Sequence, residues 1–456
     1  MKQELLKKYS VPVPRYTSYP PANFFNDSFT AQSYKEAIIA SNTQDPEHIS
    51  IYIHIPFCYQ LCYYCGCNSQ LFRNDDTTNS YIEALKKEIR MVLPLLDHNR
   101  KISQIHYGGG TPTSQPVSVL KALNEIILSE FECIEDPEIA IECHPGYMDE
   151  LYWKELLDAG FNRISIGVQD FNKDVLKASN RKETRTPIED IVKILQEKNV
   201  PYNMDFIYGL PLQTPETFAE TIKKAIELKP DRIVTFSYAH VPWVNELQKK
   251  LEKAGLPAIE TKNKLYETAK QLLLEAGYKS IGLDHFVLPE DELYEAEQTK
   301  KLHRNFQGYC TRRTTGQVYA FGVTGISQLA TAYSQNSKDL DAYIHMVNNG
   351  EYPIAKGYIL SEDEQITRTV ISTLMCNYAI NWNSLAEELH LSTDRIKSAL
   401  NYSQSMLNEF ERDGIIEYDE NHIMIKPEAT LFVRNVAASL DKLITANSEN
   451  RYSKSI

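Results

Sequence analysis

Short apolar runs rich in β-branched residues recur along the first two thirds of the chain: Ile51–Ile55, Ile102–His106, Ile139–Glu142, Arg163–Gly167, Asn203–Ile207, Arg232–Phe236 and Lys279–Leu283. Between them the apolar positions take up helical spacing. One such helix carries Ile82, Leu85, Ile89, Val92 and Leu93 on a single face, with Ser80 and Glu83 placed as a capping box. Another follows Pro116 with Leu120, Leu123 and Ile127 in line, and a third holds Ile188, Ile191, Ile194 and Leu195. Strand alternating with helix implies parallel strands joined by right-handed crossovers. That is an α/β fold, either a doubly wound sheet or a full or partial barrel. In both, ligands gather at the C-terminal ends of the strands. The segments to watch are therefore Pro56–Cys67, Gly108–Thr113, Glu142–Pro145, Gln169–Asn172, Tyr208–Pro211 and Ala239–Pro242.

After about residue 350 the pattern changes. Ser361–Ala379, Trp382–His390 and Ser392–Glu411 read as helices, Ile415–Tyr418 and Ile423–Ile425 as a hairpin, and Ala429–Ile444 as a last helix. These elements resemble a winged-helix module, but a helical cap packed on the barrel is the preferred reading because the chain is acidic.

Composition narrows the class. With 456 residues, 42% of them hydrophobic and 24% charged, the chain can bury a large core without disulfides. Its 48 basic and 61 acidic side chains leave a net charge of −13, which argues against nucleic acid as a partner. An anionic ligand would need a local basic pocket. The opening MKQELLKKYS lacks the apolar core of a secretory signal, and no run of eighteen apolar residues could span a membrane. A cytoplasmic protein with free thiols is expected.

Eight cysteines are present, and four of them (Cys58, Cys62, Cys65 and Cys67) fall directly after the first strand. Soft thiolates at this spacing suit an iron–sulfur cluster on Cys58, Cys62 and Cys65, leaving one iron open, or a zinc ion using Cys67 as a fourth ligand. No second ligand pair is evident for zinc. The run Y-G-G-G-T-P-T at Tyr107–Thr113 allows close backbone approach and offers N–H groups to a carboxylate. A tight turn would explain it too. Glu142 ends an apolar strand, so its carboxylate must pair or face a site. Asp205 and Gln169 are placed analogously, and Arg181 could hold a ligand carboxylate in bidentate fashion.

C-x₃-C-x₂-C with an aromatic before the last cysteine resembles the signature of the radical S-adenosylmethionine (SAM) superfamily. That likeness implies a partial (β/α)₆ barrel and a [4Fe–4S] cluster on Cys58, Cys62 and Cys65. The open iron would bind SAM, and one electron would cleave it to methionine and a 5′-deoxyadenosyl radical. The remaining motifs narrow the resemblance. They are P-R-Y-T-S-Y-P at Pro14–Pro20, Y-I-H-I-P-F-C at Tyr52–Cys58, the extra Cys67, G-V-Q-D-F-N, D-x-I-Y-G-L-P, S-Y-A-H-V-P at Ser237–Pro242 and H-R-N-F-Q-G-Y at His303–Tyr309. Together they are similar to the coproporphyrinogen dehydrogenases of haem biosynthesis, over essentially the whole chain.

The likeness to that family implies a cytoplasmic monomer that binds two SAM molecules. It would decarboxylate two propionates of coproporphyrinogen III to vinyls with electrons from a reductant such as flavodoxin or ferredoxin. Carried over by motif, the first SAM would contact Tyr52, Gly109, Glu142, Ala239 and Ile326. The second would contact Tyr64, Gly110, Thr111, Gln169, Arg181 and Asp205. Cys67 is typical of the family and is not expected to ligate the cluster. Arg15 and Arg304, with Gln307 nearby, are the candidates for the substrate's propionates. Three regions are expected: an N-terminal arm over the active site (1–45), the catalytic barrel with its extension (46–350) and a mainly helical domain (351–456). Two departures stand out: His144 in E-C-H-P, where the family leads one to expect an acidic residue, and the stretch 311–319. A related haem chaperone usually has an aromatic in place of Cys67 and lacks the P-R-Y-T-S-Y-P arm; a ring-opening porphyrin methyltransferase is a further relative.

Overall fold

The computed structural model describes residues 3–243, 245–306, 308–311, 316–446 and 452. The chain divides into two compact units. The larger is Asp27–Tyr294 with Arg313–Gly357, and the smaller joins Met1–Asn26, Glu295–Arg312 and Tyr358–Ile456. The expected arm therefore splits at Asn26. The helix Ala31–Ala40 buries Tyr34 and Ile38 in the core of the larger unit, whereas the residues before Asp27 belong to the smaller one. The insert Glu295–Arg312 likewise leaves the catalytic region to which the sequence reading assigns it.

Six parallel strands form the centre of the larger unit: β1 (Ile49–Ile55), β2 (Ile102–Gly109), β3 (Cys133–Cys143), β4 (Arg163–Gln169), β5 (Tyr202–Tyr208) and β6 (Arg232–Ser237). Between them run α1 (Asp75–Val92), α2 (Val117–Leu128), α3 (Glu150–Asp158), α4 (Lys173–Ala178), α5 (Ile188–Glu197) and α6 (Pro215–Leu228). Beyond β6 come β7 (Lys279–Ile281) and β8 (His285–Val287). Beside β1 lies β9 (Gln317–Phe321), followed by β10 (Ile326–Gln328), β11 (Ala332–Asn336) and β12 (Ile354–Ile359). The sheet order is β12-β11-β10-β9-β1-β2-β3-β4-β5-β6-β8-β7, with β9 parallel to β1 and β8 antiparallel to β6. This is the open, partial (β/α)₆ barrel that the resemblance implies.

The pleat sorts the chemistry. On β1, Ile49, Ile51, Ile53 and Ile55 enter the core, as do Ile105 and Tyr107 on β2. The alternate positions form the other face, where Tyr52 registers with His106, Glu142 with Ser165 and Gly167 with Asp205. Chemistry collects toward the strand C-termini, and an ionic cluster occupies the opposite end. There Arg232, the first residue of β6, holds Asp291 at 2.7 Å and Glu292 at 3.2 Å, and Arg163, the first of β4, lies 3.5 Å from Asp291. Breaking such a buried pair from one side leaves an uncompensated charge, so these residues read as structural.

Helix α1 begins a turn and a half earlier than the capping-box reading. Asn74 is the cap, accepting from Thr77 N–H, with Asp75 and Asp76 in the first turn complementing the helix dipole. Ser80 and Glu83 lie inside the helix. On the buried face of α1, the Glu88 carboxylate accepts from Gly322 N–H (2.8 Å), Asn336 Nδ2 (2.6 Å) and the Tyr343 hydroxyl (2.6 Å). Burial pushes it up to about 7 from 4.5, against the pull of those donors. The native state thus keeps a proton that the unfolded chain loses between about pH 4.5 and 7. Stability falls as pH rises through that window and is level above it, by about 3 kcal/mol for a shift of this size. The stability of wild type minus that of Glu88→Gln, from urea melts between pH 5 and 8, should fall with pH over that window. A difference independent of pH would contradict it.

In the smaller unit, Ser361 and Glu364 form a capping box at the start of the helix Glu362–Asn377. The long helix expected over Ser392–Glu411 is two helices, Thr393–Ala399 and Gln404–Arg412, broken at 400–403 where Leu400 turns to extended backbone. Three short antiparallel strands follow the order Ala379–Asn381, His422–Ile425, Ile416–Tyr418. The N-terminal segment is tied in by Lys8 Nζ on Asp413 (2.6 Å) and Glu409 (2.6 Å), and by Tyr16 and Tyr19, whose hydroxyls donate to Asp441. The final helix of the sequence reading is a 3₁₀ turn, Pro427–Phe432, and two short helices, Val433–Ser439 and Lys442–Ala446.

Candidate functional site

The cysteine loop leaves β1 through Pro56 and is closed at its base. Gln70 N–H donates to Pro56 O and Phe72 N–H to Cys58 O, both at 2.8 Å, making a short parallel bridge between Phe57–Cys58 and Gln70–Leu71. Its middle is pinned from the loop that follows α4. Tyr63 N–H donates to Ser179 O (3.0 Å), Gln60 Nε2 to Asn180 O (2.9 Å) and Asn180 Nδ2 to Leu61 O (2.7 Å). Asn180 sits at φ 52°, a conformation asparagine tolerates better than most residues. Asn245 Nδ2 holds Cys65 O at 2.8 Å.

Within this frame Cys58 and Cys62 are buried, Cys65 is half-buried and Cys67 exposed. Cys58 Sγ stands 3.3 Å from Thr111 Oγ1, and Arg181 Nη1 donates to Cys62 Sγ at 3.7 Å. Burial pushes the Cys58 thiol up to about 11, with Thr111 pulling the other way. Between Cys65 and Cys67, the bond from Cys67 makes Cys65 the more acidic thiol and holds Cys67 protonated. Among the described residues no three His, Cys, Asp or Glu side chains are gathered as ligands of one bare ion.

The glycine run packs against the chain itself. A Cβ on Gly108 would lie 2.9 Å from both Glu142 Oε1 and the Tyr52 hydroxyl, and Gly109, at φ 115°, rests on the His54 ring. A Cβ on Gly110 would lie 2.3 Å from Pro56 O, and the Gly110 N–H donates to Ile55 O at 2.8 Å. That N–H is therefore spent inside the protein, contrary to the reading that it is offered to a ligand. The close approach is between the ends of β1 and β2.

Glu142, half-exposed at the end of β3, lies 3.3 Å from His106 Nε2. Tyr52 stacks on His106 at 6.0 Å, and its hydroxyl meets His54 Nδ1 at 3.2 Å. His54 Nε2 reaches Asn68 O in the cysteine loop at 3.0 Å, and burial pushes this histidine below its usual range. Neither histidine figures among the site residues read from sequence; the signal available was their place on the same strand face as Tyr52.

Gln169 ends β4 at φ 71°, and its Oε1 is buried without a hydrogen-bond partner. The Arg181 guanidinium donates to Gly167 O. Asp205 accepts from Ser165 Oγ at 2.5 Å, and burial pushes its carboxyl up to about 6. Asp170 and Gln213 brace these loops. Gln213 Nε2 donates to Asp170 at 2.7 Å, and its Oε1 accepts from Gly209 and Leu210 N–H. Tyr64 lies in the cysteine loop, where Gln248 Nε2 donates to its carbonyl at 3.4 Å. Ala239 follows β6, between Tyr238 and a His240 that bonds Glu252 at 2.7 Å. Ile326 is on β10, separated from β1 by β9, and none of the contacts above joins it to the cysteine loop. His144, the residue out of pattern, bonds Gly146 N–H through Nδ1 at 3.1 Å.

In the smaller unit, Arg304 Nη1 donates to Arg15 O at 3.2 Å. Gln307 lies outside the described residues.

The donor set suits a cluster and SAM: soft sulfurs in a braced loop, a guanidinium beside one of them, and an orphaned buried acceptor at Gln169. The Radical SAM superfamily model matches residues 52–225. Over 98% of its length the chain is 38% identical to the oxygen-independent coproporphyrinogen III oxidase of Synechocystis sp., covering 96% of that protein. The Escherichia coli enzyme of the same name is 37% identical, over 96% of this chain and 94% of its own. This chain belongs to the oxygen-independent coproporphyrinogen III oxidase family. The solved E. coli coproporphyrinogen III oxidase, described as a radical SAM enzyme, superposes with a TM-score of 0.88 at 36% identity, covering 97% of this chain and 99% of that one. The family membership agrees with the barrel of the sequence reading and with a [4Fe–4S] cluster and SAM as cofactors.

One test bears on the Arg181 side of the candidate site. In Gly167→Ala the new Cβ would stand 2.8 Å from Gln169 Nε2 and 2.9 Å from Arg181 Nη2, driving both away. SAM affinity should fall about tenfold, or about 1.4 kcal/mol, with iron content retained. Equilibrium dialysis matching wild type would refute it.

Proposed function

We infer that this chain oxidatively decarboxylates two propionates of coproporphyrinogen III to vinyls, giving protoporphyrinogen IX without oxygen. The observation that carries this reading is the braced Cys58–Cys62–Cys65 loop within a chain that matches its relatives over nearly their whole length. When bound, a [4Fe–4S] cluster supplies one electron to SAM and so generates the 5′-deoxyadenosyl radical that takes hydrogen from the substrate.

The chain's own residues hold and orient. Cys58, Cys62 and Cys65 would ligate the cluster, with the Arg181 guanidinium donating to Cys62 Sγ. Tyr52, Gly109, Glu142, Ala239 and Ile326 would surround one SAM, where the half-exposed Glu142 carboxylate suits an ammonium group. Tyr64, Gly110, Thr111, Gln169, Arg181 and Asp205 would surround a second. There Gln169 Oε1 would accept a ligand donor and Arg181 would hold a carboxylate. Arg15 and Arg304, with Gln307, would contact substrate propionates. Flavodoxin or ferredoxin would reduce the cluster, and the protein would work as a cytoplasmic monomer; no helix among the described residues is long and apolar enough to cross a membrane.

The deciding assay is anaerobic. Reconstituted protein with SAM, a reductant and coproporphyrinogen III should release two carbon dioxide molecules for each protoporphyrinogen formed. SAM cleavage without either product would overturn the reading.

A further inference from the structure

His106, on β2, is absent from every residue set read from the sequence. Among the described residues it makes the one side-chain hydrogen bond of Glu142, Nε2 to Oε1 at 3.3 Å. An ionised carboxylate only accepts, so the Nε2 that faces it carries the hydrogen. The His106 side chain is 14% exposed and that of Glu142 44%. The donor is thus enclosed while the carboxylate stays open to a ligand. The His106 ring lies alongside Tyr52, with centroids 6.0 Å apart and planes 20° from parallel.

The other donor close to Glu142, the Tyr52 hydroxyl, is committed elsewhere. Asn68 O only accepts, so His54 Nε2 carries the hydrogen of their 3.0 Å bond. Burial disfavours a second proton on that ring, which leaves Nδ1 to accept from the Tyr52 hydroxyl at 3.2 Å. The gap to β2 is closed as well, since a Cβ on Gly108 would stand 2.9 Å from Glu142 Oε1. Oε1 is therefore held over the inner face of β2, between His106 and Gly108, and Oε2 has no hydrogen-bond partner among the described residues. A carboxylate with one oxygen anchored and the other open presents one direction to a ligand, and has less freedom to lose on binding it.

We propose that His106 is a positioning residue for the SAM beside the cluster: it anchors Glu142 Oε1 and so aims Oε2 at a hydrogen-bond donor of that SAM. It acts through Glu142 and is not itself a catalytic residue. This rests on the reading that Glu142 contacts SAM.

SAM would be titrated into the full chain, anaerobically loaded with its cluster, and followed through the low-temperature resonance of the reduced cluster. Two substitutions separate the bond from the ring. His106→Phe keeps a ring against Tyr52 and loses the donor, whereas His106→Gln loses the ring and keeps an N–H donor at the reach of Nε2. His106→Phe should weaken SAM binding about tenfold with iron content unchanged, and His106→Gln should recover most of that loss. A packing role would reverse the order. Glu142→Gln should also weaken binding, and adding His106→Phe to it should cost less than about twofold more, because residues that act as one unit are not additive. Should His106→Phe not fold, His106→Asn, whose amide stops short of Glu142, takes its place. If Glu142→Gln weakens binding and His106→Phe does not, or if the double variant multiplies the two losses, the positioning role is overturned and the Glu142 contact stands. If Glu142→Gln binds SAM as wild type does, that contact falls, and the positioning role with it.

Discussion

Cys62→Ser should give a folded protein that assembles no cluster and cleaves no SAM, with decarboxylation down by about 10⁴-fold or more, or about 5.4 kcal/mol of barrier. Serine oxygen is a hard donor that stays protonated at neutral pH, so it replaces a soft thiolate poorly. It also leaves the Arg181 guanidinium, 3.7 Å from Cys62 Sγ, facing a neutral group. The loop should survive, because backbone bonds hold it: Gln70 N–H to Pro56 O, Phe72 N–H to Cys58 O and Tyr63 N–H to Ser179 O. Far-ultraviolet dichroism should therefore match wild type while iron analysis and the low-temperature resonance of the reduced cluster do not. Cys67→Ser should keep both, since Cys67 is the exposed member of the group. Full iron in Cys62→Ser, or lost iron in Cys67→Ser, would move the ligand set.

Gly110→Ala should be nearly as damaging by another route. The added Cβ would stand 2.3 Å from Pro56 O, 2.6 Å from Pro56 C and 3.0 Å from Cys58 Sγ. The first two are backbone, and neither strand can yield. Pro56 O accepts from Gln70 N–H, and Gly110 N–H donates to Ile55 O. Relieving the overlap means parting the ends of β1 and β2 where the cysteine loop begins. Overpacking of this kind costs about 3 kcal/mol, and the displaced Cys58 should abolish cluster binding. Gly66→Ala is the control within the same loop, where a Cβ meets nothing within 4 Å. Urea melts and iron content should separate the two, and equal behaviour would refute the packing account.

How far the sequence could be read follows from where each signal is stored. The strands of the barrel were legible because β-branched apolar residues recur at every second position, as Ile51, Ile53 and Ile55 do on the face turned to the core. The start of α1 was misread because a Ser-x-x-Glu spacing inside a helix looks like a capping box at its beginning. What decides is burial: Thr78 and Tyr81 already belong to the packed face, so the helix has to begin before them. Cysteines, glycines and strand-end carboxylates were legible because their residue types are unusual in those places. His54 and His106 were not, since their importance lies in sharing a strand face with Tyr52. Nor was the brace that Arg434 makes on Pro14 O and Val13 O, 420 and 421 residues back along the chain.

The smaller unit is assembled from three separated stretches of chain, and this bears on the order in which the protein comes into being. On a ribosome, residues 3–26 emerge before the other two stretches, yet Lys8 and Tyr9 close on Asp413 at separations of 405 and 404 residues, and Tyr16 on Asp441 at 425. The strands β1 to β6, by contrast, each pair with the next of the six to emerge, and β1 alone of them waits also for the distant β9. The first-made of the three stretches thus waits longest for its partners, with the apolar and aromatic Val13, Tyr16 and Tyr19, buried in the folded unit, uncovered until then. Synthesis runs in one direction, while the smaller unit closes by joining its earliest stretch to its latest.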